Sequence, residues 1–360
     1  MSARPARNFR LTLCILVGVV AAIYVGFGIA TAGSTLGCDY DAYSSAASRY
    51  LHGQPIYDLS ITKSGGCNQY QYPPPFVALA LPFSVLGHDL GNAAWMAFLS
   101  GCFVVGCAVM PVRWEVKLGI FLAGAIGWPL IFGVRIGQVA PILFALFAVG
   151  WRWLDRPGVV GAVATLGTLV KLQPVLIVGW LAARRSWRGV AIAIGTAGGL
   201  ALIAALVGLG AWGDLLTLLR NLTNASDIPT NVSLGAVAYQ HGLSAGAASL
   251  IQILGIGAAL GLVVLCALRS SAEAGYLVAV VASQVISPII WTHYALILLL
   301  PVAWLLQRRQ WWAAAIPVSQ AWVLLPFMPI EIYPVAFYAA LVAVPFVDWR
   351  RQAAMAVVAT

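Results

Sequence analysis

Apolar residues run through this chain in blocks of about fifteen to twenty-five, separated by short clusters of Arg, Gly, Pro and Asp. A helix needs about 20 apolar residues to cross a bilayer. The blocks predict twelve spans, at 11–32, 74–88, 92–111, 117–134, 138–153, 158–182, 188–210, 246–268, 273–289, 293–306, 311–328 and 331–347. Outer-membrane barrels, which read as alternating ten-residue segments, do not fit these runs. The first block is long for a signal core and lacks a small-residue cleavage site, so it is expected to stay as a span. The halves show no internal repeat. The expectation is an all-α, polytopic membrane protein, one integral domain over 1–360.

Composition supports this. The chain is 61% apolar and 9% charged, against about 25% charged in soluble domains. A net charge of +9 would suit nucleic acid only if the basic residues clustered on a wet, polar face, and here they sit between apolar runs. Arg4, Arg7, Arg10, Arg184, Arg185, Arg188, Arg269, Arg308, Arg309, Arg350 and Arg351 fall on one side of the span count. The positive-inside rule makes that side cytoplasmic, with both termini. The long loops 33–73 and 211–245 then face outward and carry Asp39, Asp41, Asp58, Asp214 and Asp227. Residues 112–157 resist this bookkeeping. Simple parity puts Gly137 and Gln138 inside, whereas two half-spans meeting near Gln138 would put them elsewhere.

The first outer loop holds a short helix. Tyr43, Ala46, Ala47, Tyr50 and Leu51 form one apolar stripe at helical spacing, suited to the membrane interface. Gly53 ends it, and Pro73 to Pro75 return the chain to the bilayer. Asp39 and Asp41 stand at the helix start, where a carboxylate caps the backbone or complements the dipole. Capping leaves one oxygen for chemistry. Lys171 interrupts an apolar run at a cost of about 2.5–3.5 kcal/mol on insertion scales, which marks a functional candidate, a snorkelling side chain or a structural ion pair. Pro174 marks a helix break beside it. His293 and Tyr294 lie at the outer end of a later span, where Trp and Tyr also serve as interfacial belt residues. Arg135 and Gln138 flank a Gly-Gln turn. Asn221, Asn224 and Asn231 begin N-x-S/T triplets, read as chance in a polar loop. No HExxH, CxxC, Walker loop, dinucleotide fingerprint or serine-hydrolase elbow is present, so no metal, nucleotide or other cofactor is expected.

Four of six cysteines, Cys14, Cys102, Cys107 and Cys266, lie in apolar runs as small buried residues. Cys38 and Cys67 share the first outer loop. A disulfide there is expected, worth roughly 3–4 kcal/mol in the chain-entropy model, and it would restrain Asp39. The alternative is two free thiols in one loop.

Seven pieces in order, each weak alone, carry a resemblance. They are Asp39-x-x-x-Tyr43 with Gly53-x-x-x-Tyr57-Asp58, Tyr72-Pro73-Pro74, Gly137-Gln138, Lys171-x-x-Pro174, Asn231-x-Ser233, and Ser287-Pro288-x-x-Trp291-x-His293-Tyr294. Together they resemble glycosyltransferase family 87, the polyprenyl-phosphate-sugar-dependent mannosyltransferases of the GT-C superfold. The resemblance implies an inverting transferase at the outer face of a bacterial cytoplasmic membrane. Its donor would be a polyprenyl-phosphate-linked sugar, its acceptor a lipid or glycan. It implies Asp39 as general base, with Asp41 competing. Lys171, His293 and Arg135 are the candidates for the donor phosphate. Tyr43, Tyr57, Tyr72, Gln138, Asn231 and Tyr294, with Asp41, are candidates for the substrate site. The sequence departs from the family where Val139-Ala140-Pro141 follows Gln138 without the expected Asn. A transporter or lipid-linked-sugar flippase is the competing class; against it, no paired interrupted helices appear in the two halves.

Overall fold

The computed structural model describes residues 4–62, 66–208, 210–221, 228–321 and 329–358. Among these the chain is helical, with one isolated bridge between Gly127 and Ala321 and no strands. Asn224, Asp227, the side chain of Asn221 and the second half of the expected span 311–328 lie outside the described residues.

The N-terminal half opens with α1 (Arg4–Ala30), followed by α2 (Cys38–Leu51), α3 (Phe76–Ser84), α4 (His88–Val109), α5 (Trp114–Ala125), α6 (Trp128–Ile136) and α7 (Ala140–Arg152). Then come α8 (Pro157–Val170), α9 (Val175–Ala183), α10 (Trp187–Val207), α11 (Ala211–Asn221), α12 (Leu234–Gln240) and α13 (Ala245–Arg269). The chain ends with α14 (Ala272–Val285), a 3-10 turn (Thr292–Leu298) running into α15 (Leu299–Gln307), short α16 (Ala315–Val318), and α17 (Ile332–Val358).

The residues at the helix starts explain many of the breaks. Pro129 and Pro141 fall in the first turns of α6 and α7, and Pro157 begins α8, where a missing N–H costs nothing. Ser233, Ser244 and Ser271 accept the N–H groups of Ala236, Ala247 and Ala274 at 3.3 Å and so start α12, α13 and α14.

Five helices, within α1, α4, α10, α13 and α17, are long and apolar enough to cross a membrane. Their outward faces are exposed leucines and valines, with Leu202 and Leu206 on α10 more than 70% exposed. Such surface suits lipid. The protein is a helical membrane protein. The other elements are shorter than the sequence predicts. The expected span 117–134 is broken at Ile126–Gly127, and 158–182 is broken between Val170 and Val175. At 1.5 Å per residue, α7, α8 and α14 reach about 20 Å, short of a hydrocarbon layer of about 30 Å. Among the described residues, five of the expected spans are single helices of crossing length, and the others are built from shorter or broken helices.

Their tips are polar and irregular, which a membrane protein tolerates only where backbone is buried in protein or lines a cavity. Here the tips are enclosed. Every residue of α14 from Ala274 to Val285 is buried, as expected of a helix apolar on all faces. It packs against α13, α17 and α9.

Candidate functional site

Helix α2 and Tyr72 lie against the turn between α6 and α7. Helix α2 begins after Gly37, whose left-handed φ of 74° is open to glycine. The Gly37 N–H donates to the Arg135 carbonyl at 2.8 Å, tying the head of α2 to the end of α6. Helix α6 stops at Gly137, φ 83°. The Gln138 N–H donates to Gly133 and the Gly137 N–H to Val134, a Schellman closure that needs the left-handed residue. A Cβ on Gly137 would lie 2.8 Å from the Tyr40 Cβ. Trp95 Nε1 donates to the Gly137 carbonyl at 2.7 Å. The Gly-Gln turn thus packs on the head of α2, where α6 and α7 meet.

That turn aims Gln138 at Asp39. Its Nε2 donates to Asp39 Oδ2 at 2.9 Å and to the Tyr72 hydroxyl at 3.2 Å, while its Oε1 accepts the Val139 N–H. Tyr43 donates to the Tyr72 hydroxyl at 2.9 Å. Burial pushes the Asp39 carboxyl up to about 6, against the pull of Lys171 and the Gln138 hydrogen bond. A carboxylate in that range is still ionised at neutral pH and takes a proton more readily than a solvated one.

Asp41, two positions along the same turn, is committed elsewhere. It meets His88 Nε2 at 2.8 Å with its side chain 27% exposed, and His88 Nδ1 meets Asp89 at 2.9 Å. The sequence reading missed His88. Its pairing with a loop forty-seven residues away leaves no local signal beyond a His-Asp pair opening a helix.

Lys171 occupies the gap between α8 and α9 in extended backbone. Its ammonium donates to the Tyr294 hydroxyl and lies 4.6 Å from the Tyr294 ring and 5.1 Å from the Tyr72 ring. Both are cation–π distances. Gln173, in the same gap, donates to Ser287 at 3.1 Å, locking the gap to the end of α14.

His293 is 3% exposed, and neither ring nitrogen has a partner among the described residues. Its ring lies 5.0 Å from Tyr294 and 6.0 Å from Phe132. Arg135 stacks over Trp128 and Phe132 at 4.8 and 5.1 Å, with Nε buried and unpaired. Asp39, Gln138, Tyr72, Lys171 and Tyr294 therefore form one continuous cluster, with His293 behind Tyr294 and Arg135 beyond Phe132.

Other sequence candidates stand outside it. Tyr43 and Tyr57 are buried in the loop core, and Tyr57 donates to the Tyr72 carbonyl at 2.6 Å. They shape Tyr72 from behind. Asn231 is fully buried; its amide donates to Pro288 and accepts from Ser233 and Ile290, pinning the start of α12 to the 288–290 segment. Cys38 and Cys67 are joined by a disulfide with Cα atoms 4.8 Å apart. No group of three His, Cys, Asp or Glu side chains among the described residues forms a metal site.

The family model described as glycosyltransferase family 87 matches residues 70–291, well over half of the chain. The chain belongs to glycosyltransferase family 87. This transferase has Tyr72, Arg135, Gln138, Lys171 and Asn231 inside the matched segment, Asp39 and the disulfide ahead of it, and His293 just past its end. Comparisons with curated proteins and with solved structures return no match.

Proposed function

We propose that this glycosyltransferase moves a sugar, mannose first among the candidates, from a polyprenyl-phosphate donor to a hydroxyl of a lipid or glycan acceptor, with inversion. The reading places a GT-C-type fold in a bacterial cytoplasmic membrane, the site facing outward and both termini in the cytoplasm. The observation that carries it is a half-buried carboxylate, Asp39, hydrogen-bonded through Gln138 to Tyr72, whose ring a cation, Lys171, approaches to 5.1 Å.

The two charges suit the two ends of the reaction. The acceptor oxygen bonds to the anomeric carbon as its proton passes to Asp39. The bond from that carbon to the phosphate oxygen breaks, and its electron pair leaves with the polyprenyl phosphate. General-base help of this kind contributes about 10²–10⁴-fold. The departing phosphate gains negative charge, and Lys171, fixed by Tyr294 and Tyr72, lowers the energy of that charge in a dry setting. His293 and Arg135 supply further donors on the phosphate side. Asp41, tied to His88, steadies the turn that carries Asp39. The chemistry assigns no step to a metal or nucleotide.

The test is a transfer assay with purified protein, a panel of polyprenyl-phosphate sugars and membrane lipid extract. Formation of a glycosidic product with release of polyprenyl phosphate supports the reading. Turnover only with a nucleotide sugar, or movement of the lipid-linked sugar between leaflets without product, overturns it.

A further inference from the structure

The amide of Gln138 spends every hydrogen-bonding group it has. Its two N–H groups go to Asp39 Oδ2 and the Tyr72 hydroxyl, and its oxygen takes the Val139 N–H. An amide held at both ends cannot flip, so the direction in which it offers an N–H to Asp39 is fixed by the backbone at 139. The backbone beneath it is equally constrained, by the left-handed Gly137, the Trp95 bond to its carbonyl, and the contact with Tyr40. On the other side, Gly37 binds the Arg135 carbonyl and the disulfide holds Cys38. Asp39 is therefore pinned by its own backbone and by one oxygen. Among the described residues, no hydrogen bond reaches its second oxygen, Oδ1.

We infer that Gln138 is the positioning residue of the base: it engages Asp39 Oδ2 and leaves Oδ1 as the oxygen that takes the acceptor's proton. A side chain with its N–H and C=O groups all used inside the protein has none left for substrate, which separates this role from the substrate contact the sequence suggested. The inference rests on Asp39 being the base. The groups facing the carboxylate are Gln138 from the α6–α7 turn, Lys171 from the α8–α9 gap, and the hydroxyls of Tyr43 and Tyr72. Asp41, on the same helix, faces His88. Of the neutral groups, Gln138 alone donates directly to the carboxylate, so losing it removes a bond that favours the ionised form.

The experiment is the pH–rate profile of kcat/KM for the acceptor, with the full chain in detergent micelles, for the native enzyme, Gln138→Leu and Gln138→Glu. With Leu, the acid limb is expected to move up by about one pH unit, and kcat to fall about tenfold while the donor KM changes less than about twofold. With Glu, a second carboxyl beside the first moves the limb up further, since the like charge opposes ionisation. An acid limb unmoved in the folded variants overturns the inference, as does a donor KM raised tenfold with the limb fixed. If Gln138→Leu does not give monodisperse protein, Gln138→Glu alone decides by the same criterion. Asp39→Asn separates the two readings. Retained turnover in Asp39→Asn defeats the base itself. An inactive Asp39→Asn beside an unmoved limb in the Gln138 variants defeats only the positioning role.

Discussion

Helix α14 has a polar cluster at each end, and the two are built on different plans. At its start, Glu273 receives Arg308 at 2.6 Å and Trp304 Nε1 at 3.0 Å, and the Arg308 guanidinium lies 3.8 Å from the Trp304 ring. Asp348 accepts the N–H and hydroxyl of Ser271, and Gln352 besides. Charges there meet partners and helix ends. Beyond the other end of α14, Asp39 and Lys171 form no direct ion pair, His293 has two open nitrogens, and Arg135 has an unpaired Nε. Buried groups left open are costly, and under the proposed function the donor phosphate would complete His293 and Arg135. Under that reading the comparison sets polar residues that hold the bundle against those proposed to do chemistry.

Five variants press on that contrast. Asp39→Asn has the largest expected effect, a loss of turnover of at least about 10²-fold with donor binding retained. Measured beside it, Asp41→Asn is expected to keep most activity; the reverse result would transfer the base to Asp41. The native profile of kcat/KM should show an acid limb near pH 6, where Asp39 protonates, and not near the ordinary carboxylate range. Lys171→Ala comes next, with turnover reduced about tenfold or more and donor binding weakened too, seen by titrating a polyprenyl phosphate. A structure of that complex with the phosphate far from Lys171 would sink its role. Cys38→Ser with Cys67→Ser leaves α2 anchored by Gly37 and Gln138, so a several-fold loss is expected, growing with temperature as the loop entropy returns. Mass spectrometry of non-reduced peptides, with thiols trapped at lysis, tests the bond itself. Arg308→Ala, at the opposite end, should change turnover less than about twofold. It should lower thermal stability by about 1 kcal/mol, small because Glu273 is 40% exposed. A large activity loss there would erase the distinction.

The long spans were legible because hydropathy reports whole crossings: α4, α10 and α13 fall within four residues of their predicted bounds, while α1 starts seven residues early. The break at Lys171 was legible too, since a cation and a proline in one apolar run admit few other readings. The shorter elements were not. A thirteen-residue apolar helix such as α7 has the same composition whether it crosses or stops midway, and only packing against α4 and α8 decides. The tyrosines show the same limit. Tyr43, Tyr57 and Tyr72 carry equal chemistry in sequence, but the loop fold buries the first two behind the third. Asn231 looked like a polar residue awaiting a substrate until its amide was found to be a staple between two distant segments.

Gly137 has a consequence for how this enzyme can change over generations. Any other residue there would need a left-handed backbone that L side chains resist. It would also need room that the Tyr40 backbone, 3.0 Å from the site of a Cβ, already occupies. The two obstacles are independent, so no compensating change at one relieves the other. Drift can rewrite the lipid-facing surfaces of α1 and α10 almost freely, but at position 137 the alphabet has a single letter. New acceptor preferences must therefore arise by remodelling the loops around that fixed point.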